Sequence, residues 1–182
     1  MSELATLLRA LEFAAHKHQG QRRKGRDGAP YINHPISVAD TIARVGRVTD
    51  IVTLTAAVLH DTVEDTATTL DEIEREFGAE VRQVVAELTD DKRLPKEERK
   101  RLQVVSAPSA SRRAKIVKLA DKIMNVTDIT HDPPVDWPVT RRREYFEWAK
   151  RVVEGCRGAN AALERRFDKV VADGLASLAG QA

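Results

Sequence analysis

The residues most suited to chemistry are the adjacent pair His60-Asp61, which ends the most apolar segment of the chain. An imidazole and a carboxylate at the edge of a buried element are costly unless something binds them. Both groups are suitable ligands for a divalent metal. Glu64 and Asp65 each follow one member of the pair by four residues, so in a continuous helix each would share that member's face. We predict that these two acids face a metal without ligating it and act as a base for water or as proton donors.

Two further positions could complete a metal site. Asp121 interrupts an apolar helical face, and Asn125 lies one helical turn later. His34 precedes Pro35, which is expected at the first position of another helix. Two imidazoles and two carboxylates suit a hard-to-borderline ion such as Mn²⁺, which would lower the pKa of bound water and polarise a phosphoryl oxygen. Because no thiolate takes part, a closed structural zinc site is disfavoured.

Each of these residues also has an interpretation that involves no function. A His-Asp pair at a helix end is common, and Asp121 could cap a helix or pair with Lys118 or Lys122. His34 alone is typical of a capping or surface histidine. The spacing therefore indicates a metal site without establishing one. Four other residues are assigned no role, with the first two expected at a charged helix end: His16, His18, His131 and Cys156.

A basic segment precedes His34 and reads Gln21-Arg22-Arg23-Lys24-Gly25-Arg26. Arginine binds phosphate through paired hydrogen bonds and lysine supplies a point charge, so this segment could clamp phosphates. A solvated run of charges is the alternative. A nucleic-acid surface is disfavoured because no aromatic residues interleave with these charges and the whole chain has a formal charge of only +2.

Helical periodicity dominates the chain, and we predict a single all-α domain over residues 1–182. Aromatic residues make up only 4% of the composition, so Leu, Val, Ile and Ala must build the core. Asp50 is a good N-cap for a buried central helix over 51–60. Thr69-Leu70-Asp71-Glu72 matches a capping box at the start of a short helix that Gly78 ends. The other predicted helices cover residues 4–15, 35–45, 81–88, a short stretch after Pro95, 116–129, 140–154 and 159–178, with a loop over 19–30.

Signals for export and for a membrane anchor are not visible in the sequence. No apolar stretch approaches the roughly 18 residues of a membrane span, and the first residues lack the pattern of a secretory signal. Cys156 is the only cysteine, which excludes an intrachain disulfide. We therefore expect a cytoplasmic protein.

Several of these segments together resemble a known family. His60-Asp61-Thr62-Val63-Glu64-Asp65 matches the HDxxED signature of the HD-superfamily hydrolase domain in RelA/SpoT-type proteins. Other segments are similar to that family in the same order: Arg23-Lys24, Tyr31-Ile32-Asn33-His34-Pro35, Thr89-Asp90-Asp91-Lys92 and Lys118-Leu119-Ala120-Asp121-Lys122. The resemblance covers about residues 10–165 and is greatest to the small, free-standing alarmone hydrolases, such as the metazoan SpoT homologues. Residues 94–100 and 144–149 support that choice.

The resemblance implies an HD-type metal-dependent phosphohydrolase that removes the 3′-pyrophosphate of ppGpp and pppGpp. It implies a Mn²⁺ ion held by His34, His60, Asp61 and Asp121, with Glu64 and Asp65 orienting or deprotonating the attacking water. It also implies a set of substrate contacts: Arg23, Lys24, Asn125, Lys96, Arg141 and Tyr145. Relatives often carry an aromatic residue or His in place of Met124 and Arg in place of Thr127, so contacts near these two positions are expected to differ.

Two other functions remain compatible with the sequence. A phosphatase of another ribose phosphate, such as the 2′-phosphate of NADPH, would use the same metal chemistry. The shape of the pocket separates this alternative from alarmone hydrolysis, and sequence does not show that shape. A catalytically silent nucleotide-binding sensor is a different class. It is disfavoured because all four ligand candidates and both acids of the signature are present.

Overall fold

Helices account for most of the chain that the computed structural model describes, residues 2–25 and 27–180. Over these residues the α-helices are α1 Glu3–Lys17, α2 Asn33–Arg44, α3 Ile51–Leu59, α4 Thr62–Asp65, α5 Leu70–Phe77, α6 Ala79–Leu88, α7 Lys96–Ser106, α8 Arg112–His131, α9 Val139–Glu154 and α10 Ala161–Ala179. A 3₁₀ helix covers Ala107–Ser109, and an isolated antiparallel bridge pairs Arg22 with Pro30. The prediction of an all-α fold is confirmed. None of the described helices is both long and apolar enough to cross a membrane.

Two central helices, α3 and α8, organise the core. α3 packs against α1, α2 and α6, whereas α8 packs against α2, α3, α9 and α10. Burial of apolar surface between these helices is the main favourable contribution to folding. The larger hydrophobic cluster surrounds α8 and includes Phe146 and Phe167, and the smaller one surrounds α3 and includes Leu59 and Ile73. Because α2, α3 and α8 contact one another, polar residues at their edges can meet.

The helix ends follow local signals in the sequence. Asp50 and Thr69 each accept a hydrogen bond from the backbone N–H three residues later, as their predicted capping roles require. Gly78 ends α5 with φ at +89°, a conformation that side chains rarely adopt. Ser111 caps α8 in the same way as Asp50 caps α3. The predicted start of that helix at Ile116 is therefore four residues too late.

The structure corrects one expectation at the His60-Asp61 pair. A continuous helix would have placed Glu64 on the face of His60, but α3 ends at Leu59 and α4 begins only at Thr62. The Thr62 hydroxyl donates to the Leu59 carbonyl at 2.6 Å, which stabilises the turn between the two helices. The pair therefore lies in a turn, where its side chains are directed by tertiary contacts as well as by helical spacing.

Gly174 in α10 allows a close approach of α9 and α8. A Cβ atom added at this position would lie 2.8 Å from Phe146 Cε2 and 2.8 Å from Thr130 Oγ1. Phe146 is fully buried and has little room to move. Glycine to alanine inside a helix normally stabilises by up to about 1 kcal/mol. We expect Gly174→Ala to do the opposite and to lower the free energy of unfolding by about 1–3 kcal/mol, because it overpacks the core.

Gly180→Ala is the matched control, since its Cβ would meet only the Ser177 carbonyl at 3.9 Å. Urea denaturation followed by circular dichroism measures both variants. A Gly174→Ala protein as stable as the parent would contradict this account of the packing.

Candidate active site

Four side chains from three parts of the chain meet at one point, and we call them the His–Asp cluster: His34, His60, Asp61 and Asp121. His34 lies in the first turn of α2. That helix begins at Asn33, two residues before the predicted start at Pro35. His60 and Asp61 form the turn after α3, and Asp121 lies in the middle of α8. Packing of α2 and α3 against α8 thus joins residues as many as 87 positions apart in the sequence.

The distances within the His–Asp cluster suit a single cation. His34 Nε2 lies 3.1 Å from Asp121 Oδ1 and 3.9 Å from Asp61 Oδ2. His60 Nε2 lies 3.0 Å from Asp61 Oδ2 and 3.8 Å from Asp121 Oδ1. A metal that binds its ligands at 2.0–2.2 Å holds neighbouring donor atoms roughly 3–4 Å apart. His34, His60 and Asp121 each offer one donor atom within 4.8 Å of the other two, as ligands of one ion require, and Asp61 Oδ2 lies beside both imidazoles.

The His60 ring is oriented for metal binding by a backbone contact. Its Nδ1 lies 2.7 Å from the Ala57 carbonyl and donates to it, which leaves the lone pair on Nε2. Nε2 is buried and has no hydrogen-bond partner among residues 2–25 and 27–180, although Asp61 Oδ2 lies 3.0 Å from it. A buried nitrogen lone pair facing two carboxylates is unfavourable unless a proton or a cation lies between them. This donor set fits a divalent metal.

Without a metal, the same residues are held as paired ions. Burial opposes the charged form of His60, but the carboxylates of Asp61 and Asp121 outweigh burial and raise the pKa of His60 well above its usual value. Burial also opposes ionisation of the carboxyls, yet His60 lowers the pKa of Asp61 and Lys122 lowers that of Asp121. A divalent cation would displace the extra proton of His60, so metal binding should release a proton.

Asp121 is fixed by two neighbours on its own helix. Lys122 Nζ lies 2.9 Å from Asp121 Oδ2, and Asn125 Nδ2 donates to Asp121 Oδ1 at 2.7 Å. The ion pair with Lys122, which was the alternative to a ligand role, is therefore present. It occupies Oδ2, whereas Oδ1 faces the two imidazoles. The two interpretations of Asp121 are compatible.

Glu64 lies in α4 in largely buried surroundings. Its Oε2 accepts a hydrogen bond from the Asp90 backbone N–H at 3.2 Å, and Arg99 Nη1 lies 3.6 Å from Oε1. Burial raises the pKa of Glu64 to about 7, opposed by the Asp90 N–H and reinforced by the charges of nearby carboxylates. A carboxyl group with this pKa can take up or release a proton near neutrality, as a general base requires.

Asp65 ends α4 and is held by two other side chains. The Lys92 ammonium pairs with its Oδ1, and the Tyr31 hydroxyl donates to its Oδ2 at 3.1 Å. Its backbone carbonyl also accepts a hydrogen bond from Gln21 Nε2 at 2.8 Å. These contacts fix the orientation of the Asp65 carboxylate.

A cavity of about 460 Å³ opens beside the His–Asp cluster. His34, Asp65 and Asn125 line the side next to the cluster, and the loop before α2 supplies Arg23 and Lys24. Arg23 Nη2 donates to Asp128 Oδ2 at 2.6 Å and to Asn125 Oδ1 at 3.0 Å. Four of the predicted substrate contacts thus share one cavity wall: Arg23, Lys24, Asn125 and Tyr145.

The other two predicted contacts, Lys96 and Arg141, do not line this cavity. Both side chains are exposed, and Arg141 lies over the Trp137 ring at 4.4 Å. Trp137 itself lines the cavity. Burial, followed by the charges of Arg141 and Lys100, lowers the pKa of Lys96. These cations therefore share one region of the surface near the cavity without forming its wall.

Sequence reasoning missed the role of Tyr31. Its single hydroxyl hydrogen is shared between Asp61 Oδ2 at 2.7 Å and Asp65 Oδ2 at 3.1 Å, so Tyr31 joins two residues of the predicted site. Lys122 was considered only as an alternative partner of Asp121, and its place beside the cluster was not foreseen. The segment that contains Tyr31 was recognised, but no periodicity indicates which way a loop side chain points.

The positions left without a role fall into two groups. His16 and His131 are exposed and Cys156 is a buried free thiol, in keeping with that assignment. His18 is different, because it is only 3% exposed and not at a solvated helix end. Arg26, which belongs to the predicted basic segment, lies outside the described residues.

The two departures from the family pattern have visible local roles. Met124 lines the cavity, and its sulfur accepts a hydrogen bond from the Thr41 hydroxyl at 3.4 Å. Thr127 donates its hydroxyl to the Ile123 carbonyl of its own helix at 2.8 Å. Thr127 therefore brings no cation to the cavity where relatives often carry Arg.

Comparison with known proteins gives this site a family. The profile of the HD domain family matches residues 10–144. The chain belongs to that family. Membership of the HD domain family implies a divalent metal, and the His–Asp cluster is a possible site for it.

Individual HD proteins are similar over nearly the whole chain. The guanosine-3′,5′-bis(diphosphate) 3′-pyrophosphohydrolase MESH1 of Mus musculus is 59% identical over 169 residues, which cover 93% of this chain and 94% of that protein. The protein of the same name from Homo sapiens is 59% identical over 163 residues, covering 90% and 91%. A solved structure of a metazoan orthologue of SpoT, described as hydrolysing ppGpp, matches with a TM-score of 0.90 at 45% identity and covers 93% and 95%. The predicted RelA/SpoT-type resemblance is confirmed.

Proposed function

We propose that this chain is a metal-dependent 3′-pyrophosphohydrolase of ppGpp and pppGpp. The observation that carries the proposal is the position of the His–Asp cluster beside a cavity whose wall contains Arg23 and Lys24. His34 of the cluster thus borders the same space as the cations that could bind phosphate. The cavity volume of about 460 Å³ lies within the range of sites for small molecules. Relatives that are 52–59% identical over most of the chain carry the name of this activity.

The metal in this proposal is Mn²⁺, held by His34, His60, Asp61 and Asp121. Imidazole nitrogens with carboxylate oxygens suit a borderline divalent ion, and no thiolate is present to favour a structural zinc site. Such an ion lowers the pKa of water and withdraws charge from a phosphoryl oxygen.

In this proposal Glu64 and Asp65 of α4 deprotonate and orient the attacking water. The water oxygen forms a bond to the phosphorus attached to ribose O3′, and the bond from that phosphorus to O3′ breaks. Glu64, whose pKa is about 7, accepts the water proton, while Asp65 is fixed by Tyr31 and Lys92 and orients the water. O3′ takes a proton from solvent water and leaves as a hydroxyl, Glu64 returns its proton to solvent, and the products are GDP or GTP with pyrophosphate.

The cations of the cavity bind the phosphates. Arg23 must exchange its contact with Asp128 for one with a substrate phosphate, which a planar guanidinium can grip with two hydrogen bonds. Lys24 adds a second positive charge, and Asn125 lies between Arg23 and Asp121. Tyr145 borders the cavity, and Lys96 and Arg141 would approach the parts of the nucleotide that project from it.

Arg23→Ala should raise KM for ppGpp by roughly 10–100-fold and change kcat less. A hydrogen bond to a charged group contributes about 1.5–3 kcal/mol, which corresponds to this range of affinity. Steady-state kinetics measure the effect, and Arg44→Ala serves as the control because Arg44 is exposed on α2 and its ion pair is with Asp40 of the same helix. An unchanged KM would remove Arg23 from the substrate site.

A parallel assay on ppGpp and NADPH tests the proposed substrate. Protein stripped of metal by chelation is supplied with Mn²⁺ and given each compound under the same conditions. We expect metal-dependent turnover of ppGpp with the higher kcat/KM. Preference for NADPH would overturn the substrate while retaining the metal site. No turnover of either compound would favour the nucleotide-binding sensor over the enzyme.

A further inference from the structure

The short helix α4, which follows Asp61 and ends at Asp65, is not stable by itself. α4 contains only four residues, Thr62–Asp65, and its preceding residue Asp61 makes no side-chain capping bond. A helix of one turn is unstable in isolation because nucleation fixes several residues for a single hydrogen bond. The orientation of the Asp61 and Asp65 carboxylates must therefore come from contacts with the rest of the protein.

The Tyr31 hydroxyl makes such a contact with both carboxylates. It lies 2.7 Å from Asp61 Oδ2 and 3.1 Å from Asp65 Oδ2. The same Asp61 oxygen lies 3.0 Å from His60 Nε2 and 3.9 Å from His34 Nε2. One hydroxyl thus fixes the oxygen that faces the two imidazoles and also an oxygen of Asp65 at the cavity.

Tyr31 is packed against His18, and Asp65 is hydrogen-bonded to Gln21. The His18 ring is only 3% exposed and lies against the Tyr31 ring, with centroids 4.8 Å apart and planes at 31°. His18 Nδ1 lies 2.8 Å from Gln21 Oε1, which can only accept, so Nδ1 is the donor. Gln21 Nε2 in turn donates to the Asp65 carbonyl at 2.8 Å. The end of α1 therefore contacts Asp61 through the Tyr31 ring and hydroxyl, and Asp65 through the Gln21 amide.

We propose that Tyr31, braced by His18 and Gln21, is a positioning residue that sets the orientation of Asp61 toward the metal and of Asp65 toward the water. This inference rests on the proposed function for its role in turnover, but its effect on metal binding does not depend on the substrate. Partners that orient a metal ligand typically contribute 10–100-fold to affinity or activity. Tyr31 also lines the cavity, but its hydroxyl hydrogen is directed at the two carboxylates, so its role is to position them.

Tyr31→Phe is the direct test, because it removes one oxygen and keeps the ring against His18. We expect the dissociation constant for Mn²⁺, measured by calorimetry without substrate, to rise about 10–100-fold. We expect kcat for ppGpp at saturating Mn²⁺ to fall with little change in KM. The melting temperature of the metal-free protein should change little, since the ring packing is retained.

His18→Asn tests the brace, because it keeps a donor near the Nδ1 position and loses the stacked ring. Its effect on Mn²⁺ affinity should have the same direction as that of Tyr31→Phe and be smaller. Because His18 acts through Tyr31, the double variant should lose less than the product of the two single losses. His16→Asn, on the exposed side of the same helix, is the matched control and should bind Mn²⁺ like the parent.

Three results would overturn the inference. The first is a Tyr31→Phe protein whose Mn²⁺ affinity and kcat are both within twofold of the parent. The second is a double variant whose loss equals the product of the two single losses. The third is weaker Mn²⁺ binding that is fully explained by unfolding of the metal-free variant. A parent that binds Mn²⁺ but leaves ppGpp intact, with Tyr31→Phe still weakening the metal, would support the inference and defeat only the proposed function.

Discussion

Asp61→Asn should lower kcat/KM for ppGpp by roughly 10³-fold at saturating Mn²⁺. The variant keeps the size of the side chain and an oxygen that can accept from Tyr31, but it removes the charge that faces His60 and His34. A correctly held metal supplies several kcal/mol of transition-state stabilisation, and each 1.4 kcal/mol corresponds to a factor of ten in rate. Steady-state kinetics over a range of Mn²⁺ concentrations separate weaker metal binding from slower turnover.

Asp71→Asn provides the matched control for this variant. Asp71 is an exposed acid in the first turn of α5, away from the His–Asp cluster, so its loss should leave turnover unchanged. Circular dichroism checks that both proteins are folded. Turnover of Asp61→Asn within tenfold of the parent at saturating Mn²⁺ would mean that Asp61 does not hold the metal.

Glu64→Gln should lower kcat for ppGpp by about 10²–10⁴-fold with little change in KM, since a general base contributes in this range and does not bind the substrate. The amide keeps the shape of the side chain and can still accept from the Asp90 N–H, but it cannot take up a proton. Measurement of kcat and KM at several pH values distinguishes this role from a packing role. A loss that appears mainly in KM would assign Glu64 to substrate binding instead.

The parent enzyme should also lose activity as the pH falls, with a midpoint between the ordinary glutamate pKa of about 4.3 and the raised value of about 7. Burial raises the pKa of Glu64 to about 7, so the ionised base is lost below that pH. The charges of Asp90, Asp61 and Asp65 raise the pKa of Glu64 further, while Arg99 Nη1 lies 3.6 Å from Glu64 Oε1 and favours the ionised form. A bound cation acts in the same direction as Arg99.

Arg99→Gln should therefore move the acidic limb of the pH profile to higher pH, and Glu64→Gln should abolish the limb. A parent profile that stays flat down to the ordinary glutamate pKa of about 4.3 would contradict the assigned base. The same limb in the Glu64→Gln variant would assign it to another group.

Much of this site follows from sequence because its signals are local. Asp50 and Thr69 mark helix starts through capping, and an almost wholly apolar run predicts the buried helix α3. His34 and Asp121 were each ambiguous alone. The order of several motifs along the chain predicts that His34 and Asp121 belong to one site. The 3.1 Å between His34 Nε2 and Asp121 Oδ1 agrees with that grouping.

The parts that sequence did not provide depend on long-range packing of loop residues. Tyr31 precedes α2 in a loop, and its contact with Asp61 requires α2 and α3 to pack side by side. His18 is hidden because the chain folds back over it and Tyr31 covers its ring. Periodicity describes faces of regular helices, so it does not predict either contact. The turn at His60-Asp61 escaped prediction because the surrounding residues are all acceptable in a helix.

Metal-stripped protein incubated with ppGpp, with Mn²⁺ then titrated back, tests the central claim most directly. The products are separated and measured as GDP and pyrophosphate. We predict no turnover before Mn²⁺ is added, and afterwards equal amounts of GDP and pyrophosphate with no orthophosphate. Turnover that is independent of the metal, or release of orthophosphate in place of pyrophosphate, would contradict the assignment of this chain as a metal-dependent 3′-pyrophosphohydrolase.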